Sequence, residues 1–179
     1  MSTVKDFRQE ITENFAPVLI ERNFRKGEII HNAGKVCPHL FLVNSGILRA
    51  FYFKDGKDIT AHFAFAHEAI TAPDSFILEK PSKYNLEALE DSRVFCVNNN
   101  DLENYLAQHP HLEKLARKFT QAIYLELLER IESLVFLSAR ERYQNLFQRN
   151  PELVLGVNLG YIASYLGITQ ETLSRIRLQ

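Results

Sequence analysis

Residues 157–177 have the sequence VNLGYIASYLGITQETLSRIR, which predicts two short helices with a tight connection. Asn158 is a good N-cap for the first helix, and Gly167 supplies the left-handed residue that a tight helix end favours. Thr169 is placed to cap the second helix, with Glu171 favourably positioned in its first turn. Because only about three residues join the two helices, they must cross steeply and their contact must be small.

The side chains between these helices match a helix-turn-helix motif. Ala163 is the small residue that a close crossing needs, and the apolar residues beneath it are Ile162, Leu166, Ile168, Leu173 and Ile176. The free face of the second helix would carry Gln170, Glu171, Ser174, Arg175 and Arg177. Such side chains pair with base edges: glutamine with adenine, glutamate with cytosine and arginine with guanine. The motif favours DNA binding over its alternative, an ordinary helical hairpin in a core.

The charge distribution agrees with this interpretation. Residues 138–179 contain five arginines and three glutamates, a net charge of +2, which leaves −3 for the rest of a chain whose net charge is −1. All the basic residues of this segment are arginine, which suits bidentate contacts to phosphate and guanine. The near-neutral total excludes a strongly basic surface over the whole chain.

A long helix is predicted before this region. Residues 112–137 contain no glycine or proline, and apolar residues recur every three or four positions at Leu112, Leu115, Phe119, Ile123, Leu127, Ile131 and Leu134. The stripe is about seven turns long, enough to pack on its own domain and still offer a surface to a second copy. We expect a homodimer paired through this helix; a core helix of a monomer is the alternative. Ser138 and Glu141 then form a capping box for a further helix.

Residues 25–98 have a different sequence pattern, because short apolar runs alternate there with turn residues. Glycines recur at positions 27, 34, 46 and 56, and Asp55-Gly56 between two apolar runs is a strong hairpin signal. This spacing predicts a roll of short antiparallel strands. Residues 1–24 predict a helix that Pro17 breaks or kinks, and residues 100–108 predict a short helix.

The overall composition is that of a globular protein, with 46% hydrophobic and 24% charged residues. Cys37 and Cys96 are too few for a disulfide-dense secreted scaffold. No apolar run approaches the roughly 20 residues that cross a bilayer, and the first 15 residues show no secretory signal. We therefore expect a cytoplasmic protein without a membrane partner.

The order of these segments resembles the Crp/Fnr family of bacterial transcription regulators. The resemblance rests on KGEII at residues 26–30, FLVNSGILR at 41–49, ALEDS at 88–92, IASYLG at 162–167 and ETLSR at 171–175. It implies an α+β fold, with an N-terminal antiparallel jelly roll like that of cyclic nucleotide-binding proteins, a long dimerisation helix and a C-terminal helix-turn-helix. It also implies that Gln170, Glu171 and Arg175 face bases and that Thr169 and Ser174 contact phosphates. The complete predicted DNA-binding set is Thr169, Gln170, Glu171, Thr172, Ser174, Arg175 and Arg177.

The family's cyclic AMP cassette does not carry over to this chain. Pro73-Asp74 stands where Gly-Glu is expected, and Ser82-Lys83 stands where Arg-Ser is expected, so the arginine that clamps a cyclic phosphate is missing. The corresponding effector pocket would comprise Asp74, Ser75, Ser82 and Lys83, with an effector of unknown identity. Two cysteines are too few for an iron–sulfur cluster, and a lone histidine is more often a surface residue than a haem ligand. No cofactor is expected.

These observations divide the chain into three predicted parts: a β-roll with flanking helices at 1–109, the dimerisation helix at 110–137 and a DNA-binding domain at 138–179. The second helix of the motif would run for under three turns to Gln179, so the chain either ends short of the family pattern or is truncated. The expected function is a non-enzymatic, homodimeric transcription regulator whose partners are double-stranded DNA, a second copy and, by the resemblance, RNA polymerase. Two alternatives stay open: a ligand-binding or protein-interaction module that ignores DNA, and a cupin-like metal enzyme using His62 and His67.

Overall fold

A computed structural model describes residues 4–178 of the chain. The strands form an antiparallel roll of two four-stranded sheets, with strand orders β1-β8-β3-β6 in sheet A and β2-β7-β4-β5 in sheet B. The strands are β1 (Ile20–Phe24), β2 (Ile29–His31), β3 (His39–Ser45), β4 (Leu48–Lys54), β5 (Lys57–Ala64), β6 (Ala69–Ile70), β7 (Asn85–Ala88) and β8 (Ser92–Asn98). The predicted roll and the α+β class are confirmed.

Among the described residues, one α-helix precedes the strands of the roll, one lies between β6 and β7, and the others follow β8. The α-helices are α1 (Val4–Asn14), α2 (Pro73–Leu78), α3 (Asn99–Gln108), α4 (Glu113–Phe136), α5 (Ala139–Arg149), α6 (Pro151–Gly156), α7 (Leu159–Tyr165) and α8 (Gln170–Arg177). The predicted long helix is α4, with 24 residues. Both hydrogen bonds of the capping box before α5 are present: the Glu141 amide donates to the Ser138 hydroxyl, and the Ser138 amide donates to the Glu141 carboxylate. Hydrogen bonds from Ser138 lower the pKa of Glu141.

One expectation about local structure is wrong, and one helix was not predicted. Residues 20–24 were expected to be helical, but they form β1, which pairs along its whole length with β8. The helical period of the first 24 residues breaks at Pro17, within a 3-10 turn at Ala16–Val18, and sheet pairing then determines the conformation. The short helix α6 is not anticipated; Pro151 begins it, and Leu153 and Val154 are fully buried.

The interior of the roll is filled by apolar side chains. Alternation along each strand sends one set inward, including Phe41 and Val43 of β3 and Leu48 and Ala50 of β4. The Asp55-Gly56 turn joins β4 to β5 with positive φ values of 52° and 73°, the geometry that a two-residue hairpin requires. This part of the fold follows directly from the sequence pattern.

The outward face of sheet A is covered by helices. Leu42 of β3 packs in a second apolar cluster with α1, α3 and the first half of α4, in which Leu112 and Phe119 are buried. Ile11 and Phe15 of the N-terminal segment belong to the same cluster. The predicted stripe on α4 is therefore used within the chain over its first half.

The outward face of sheet B carries a buried arginine. The side chain of Arg49 in β4 is 1% exposed, and its Nη atoms donate to both carboxylate oxygens of Asp58 at 2.7 and 3.0 Å. Its Nε donates to Glu87 at 2.9 Å, and Nη1 also reaches the Thr60 hydroxyl at 3.1 Å. A buried guanidinium is tolerable only when its donors are satisfied in this way.

Replacing Arg49 tests this ion cluster. Arg49→Met should lower the free energy of unfolding by about 2–4 kcal/mol, because it leaves the Asp58 and Glu87 carboxylates without their cation. Urea denaturation followed by circular dichroism measures the change. Arg93→Met is the control, because Arg93 and Glu21 form an exposed pair at 4.0 Å and should cost under about 1 kcal/mol. Equal costs for the two variants would contradict the buried role of Arg49.

Candidate nucleic-acid interface

The two helices of the predicted motif are present and capped as expected. The Asn158 side chain accepts a hydrogen bond from the Gly160 amide at the start of α7, and Thr169 accepts from the Thr172 amide at the start of α8. Gly167 has φ +68°, and the next amide, that of Ile168, donates to the Ala163 carbonyl at 3.0 Å. This geometry closes the end of α7 and turns the chain sharply into α8.

The predicted apolar contact beneath the turn is present for four of its five residues; Ile168 is partly buried in it, whereas Ile176 is half-buried and does not belong to that cluster. Ile162, Leu166 and Leu173 are at most 1% exposed, and Ala163 is 2% exposed at the crossing. They share one cluster with Leu146 of α5 and with Leu153 and Val154 of α6. Helices α5 to α8 therefore bury their apolar faces together and leave one side of α8 free.

The polar side of α8 lies in solvent. Gln170, Glu171, Ser174, Arg175 and Arg177 are all exposed, and Thr169 and Thr172 lie at the start of the same edge. We name α8 the reading helix and these seven residues the reading edge. The structure thus brings together every residue of the predicted DNA-binding set.

Local hydrogen bonds order the reading edge before any ligand is present. Arg175 Nη2 donates to the Thr172 hydroxyl at 3.4 Å, and the Thr172 and Thr169 hydroxyls are 3.2 Å apart. A hydrogen bond from the Thr169 side chain holds the pKa of Glu171 below its ordinary value, with a smaller contribution from the charge of Arg175. A carboxylate and a guanidinium, one turn apart, are therefore both charged and accessible.

Arg142 is a supporting residue that the sequence analysis did not identify. From α5, its Nε donates to the Leu166 carbonyl at 2.9 Å and its Nη1 to the Leu137 carbonyl at 2.6 Å. It thereby satisfies carbonyls at the ends of α7 and α4, which have no partner within their own helices. Only its position one residue after the capping-box glutamate could have indicated this role.

The four predicted effector-pocket residues lie together but bond mainly to one another and to nearby backbone. The Ser82 hydroxyl donates to Asp74 at 2.7 Å and accepts from the Tyr84 amide, while the Lys83 amide donates to Asp74 at 3.3 Å. The Ser75 hydroxyl accepts from the Cys37 amide at 2.8 Å. An aspartate carboxylate with these bonds repels a phosphate, so the residues present do not fit a cyclic nucleotide.

His31 stands beside this group and was not singled out from the sequence. Its Nε2 atom is buried without a hydrogen-bond partner among residues 4–178. Burial lowers the pKa of His31, and the charge on Asp74 partly opposes that effect. The imidazole is therefore held neutral, which also makes it a poor anchor for phosphate.

The second half of α4 exposes its apolar stripe. Leu127 is 50% exposed, Ile131 57% and Leu134 42%, and Tyr124, Leu128, Val135 and Phe136 are exposed beside them. Leu115 and Ile123, in the first half, are partly buried against the cluster on sheet A. An apolar surface of this kind on a single helix is typical of a protein–protein contact. We name residues 124–136 the exposed stripe.

The comparisons with known proteins agree with this architecture. Residues 21–109 match the cyclic nucleotide-binding domain family. The structure of FixK2 from Bradyrhizobium japonicum superposes with a TM-score of 0.70 at 24% identity, over 90% of this chain and 84% of that one. A protein from Eubacterium rectale described as a Crp/Fnr family regulator gives a TM-score of 0.68 at 20% identity, over 98% and 82% of the two chains. The chain therefore has the Crp/Fnr fold, and its residues 21–109 are similar to the cyclic nucleotide-binding domain family.

A curated relative covers a smaller part of the Crp/Fnr fold. The anaerobic regulatory protein of Bacillus subtilis (strain 168) is 26% identical over 101 residues, which is 56% of this chain and 42% of that protein. The match thus spans less than half of the relative's length. Within residues 4–178, no helix is long and apolar enough to cross a membrane, and no group of three or more metal-binding side chains surrounds His62 or His67.

The turn between α7 and the reading helix can be tested with two glycines. Gly167→Ala should cost about 1–2 kcal/mol of unfolding free energy, because alanine is strained at φ +68°. Its added Cβ would meet the Leu134 side chain at an ordinary 3.5 Å, so strain is the main effect. Gly156→Ala, with open space and no positive φ, should be neutral or slightly stabilising in the same thermal or urea measurement. The reverse ranking would contradict the turn geometry.

Proposed function

We propose that this protein is a sequence-specific, DNA-binding transcriptional regulator that acts as a homodimer. One observation carries the proposal: a helix capped by Thr169, buried on its back through Leu173, exposes Glu171 and Arg175 on an otherwise polar edge. A helix of this kind fits the major groove of B-DNA. The Crp/Fnr fold of the chain and the regulators among its structural neighbours support the same function.

The reading edge suggests how each residue takes part. Arg175 would pair with guanine and Glu171 with the amino group of cytosine, while Gln170 is placed to contact adenine. Thr169 and Ser174 would contact phosphates. Thr172 would orient Arg175 through its hydrogen bond, and Arg177 would add positive charge at the end of the helix. A preformed Arg175–Thr172 contact reduces the entropy lost when the guanidinium binds a base.

The exposed stripe of α4 is the surface proposed for the second copy. Leu127, Ile131 and Leu134 are too exposed to belong to the monomer's core, and two copies of the stripe would cover each other. A dimer of this kind presents two reading helices to successive major grooves about 34 Å apart. Its operator would therefore be roughly palindromic. Leu112 and Phe119 are buried within their own chain and would contribute only indirectly.

We propose a separate role for each of three segments of the chain. We assign residues 1–109 to the roll with its flanking helices, 110–137 to the dimerisation helix and 138–179 to the DNA-binding region; residues 1–3 and Gln179 lie outside the described residues. Asp74, Ser75, Ser82 and Lys83 mark the place of an effector whose chemistry differs from a cyclic phosphate. We propose further that the protein acts in the cytoplasm without an enzymatic role, and that it contacts RNA polymerase when the regulator is bound at a promoter.

Selection from random duplexes tests the DNA-binding function directly. The protein should enrich a palindromic sequence with salt-sensitive affinity, because arginine–phosphate contacts release counterions. Arg175→Ala should weaken binding by about 1–3 kcal/mol at one G·C base pair of each half-site and relax the preference there. Arg175→Lys is the matched control: it keeps the charge and the salt dependence but loses the bidentate base contact. Unchanged sequence preference in both variants would contradict the assignment of Arg175.

Dimerisation is tested by placing a charge in the exposed stripe. Ile131→Glu should raise the dimer dissociation constant by about 100-fold or more, because the carboxylate would be buried without a partner. Sedimentation equilibrium measures the change, and circular dichroism should show an intact monomer, since Ile131 is 57% exposed. Gln121→Glu, an equally charged change at an exposed position of α4 outside the stripe, should leave the dimer intact. A monomeric parent protein would exclude the proposed assembly.

A further inference from the structure

The back of the DNA-binding region is attached to the roll of the same chain. Helix α7 lies on the outward face of sheet B, on a surface made by Ile47, Arg49, Phe51, Thr60 and Phe63, which we name the docking platform. Ile47 and Phe63 share one apolar cluster with Ile162, Ala163 and Leu166 of the motif. The core of helices α5 to α8 is therefore continuous with apolar side chains of the roll.

Arg49 and Tyr161 form the central contact of this attachment. The guanidinium carbon of Arg49 lies 3.5 Å from the centre of the Tyr161 ring and 4.0 Å from the centre of the Phe51 ring. The cation is thus held by the Asp58 and Glu87 carboxylates and also contacts two aromatic rings. A desolvated cation–aromatic stack is one of the stronger contacts of this kind.

Two further contacts fix the orientation of α7. The Thr60 amide donates to the Ser164 hydroxyl at 3.1 Å, joining the β5 backbone to the last turn of the helix. The centre of the Tyr165 ring lies 5.0 Å from the centre of the Phe63 ring. The guanidinium carbon of Arg130 in α4 lies 3.8 Å from the centre of the Tyr165 ring, and Arg130 also donates a hydrogen bond to the Tyr165 carbonyl. The roll therefore contacts α7 at Tyr161, Ser164 and Tyr165, and the long helix α4 contacts the last residue of α7 through Arg130.

We propose that Arg49 and Tyr161 are positioning residues that determine which half-site spacing the dimer accepts. This inference rests on the proposed DNA-binding function. The docking platform and Arg130 fix α7, and α7 fixes the reading helix through the tight turn at Gly167. The distance between the two reading helices of a dimer is then set by rigid contacts, because each is tied to the α4 helix that pairs.

The docked arrangement leaves the reading edge free. Docking buries Ile162 and Ala163 on the back of α7, while Gln170, Glu171, Ser174, Arg175 and Arg177 remain exposed. The contact therefore holds the reading helix without covering it. A second half-site at the matching distance is bound at high effective concentration, whereas a half-site at another distance is not.

Operator duplexes with altered spacing test this inference through Tyr161. The parent protein should bind the selected palindrome about 100-fold or more tightly than the same palindrome with five base pairs inserted at its centre, which turns one half-site to the opposite side of the helix. Tyr161→Ala should reduce this ratio to about tenfold or less while leaving the affinity for a single half-site duplex unchanged. Tyr161→Phe keeps the ring over Arg49 and should behave as the parent.

Binding to the half-site duplex separates the hypothesis that the protein binds DNA from the hypothesis that Tyr161 is a positioning residue. If the parent binds no duplex, the proposed function fails and the spacing question does not arise. If Tyr161→Ala binds the half-site normally and keeps the parent's spacing ratio, the positioning role is wrong. If Tyr161→Ala binds the palindrome more tightly than the parent, docking inhibits DNA binding and the inference is overturned.

A covalent lock gives an independent measurement. Thr60→Cys combined with Ser164→Cys places two thiols at the contact between β5 and α7, while Cys37 and Cys96 are buried. The oxidised protein should bind the palindrome with at least the affinity and the spacing ratio of its reduced form. A loss of palindrome binding on oxidation, reversed by reductant, would show that DNA binding requires undocking and would overturn the inference.

Discussion

The packing of α7 against the roll depends on the contacts of the buried Arg49 guanidinium. This guanidinium lies on the outward face of a sheet, where water would normally solvate it, and it is 1% exposed because other groups surround it. Two carboxylates and a hydroxyl satisfy its donors, and two rings cover its faces. One of those rings, Tyr161, comes from the proposed DNA-binding region. The cation is therefore desolvated only when the roll and that region are packed together.

The long helix shows how one pattern serves two contacts. A single three-and-four spacing of apolar residues runs from Leu112 to Leu134. The first half of α4 is buried against α1, α3 and sheet A, where Phe119 and Ala122 are 6% and 3% exposed. The second half is exposed except where Arg130 and Leu134 meet the turn after α7. Periodicity identifies the stripe, but only the position of the neighbouring elements decides which part each contact uses.

Much of the fold and of the candidate site can be predicted from local signals. Asn158, Gly167 and Thr169 specify the ends of the two short helices through backbone hydrogen bonds that involve near neighbours. Ser138 and Glu141 do the same for α5. Such local rules act on the folded and partly folded chain alike, which is why the reading edge could be listed residue by residue.

Long-range contacts could not be predicted in this way. Strand β1 depends on pairing with β8, some 70 residues later in the chain, so the local helical period of residues 20–24 was misleading. Arg49 carries no local signal at all, because its partners come from β5, β7 and α7. Asp74 and Ser82 were expected to line a pocket, and their mutual hydrogen bond became visible only once the loop geometry was known.

The cluster shared by Ile47, Phe63 and the back of α7 has a consequence for how such a chain can change over evolution. A detachable DNA-binding module can be exchanged between proteins as a unit, because its surface is already polar on every side. Here the exchange would expose apolar side chains on both fragments and would leave the Arg49 cation without its aromatic cover. If α8 reads DNA as proposed, new operator specificity is therefore more accessible through substitutions on the outer edge of α8 than through recombination of whole domains.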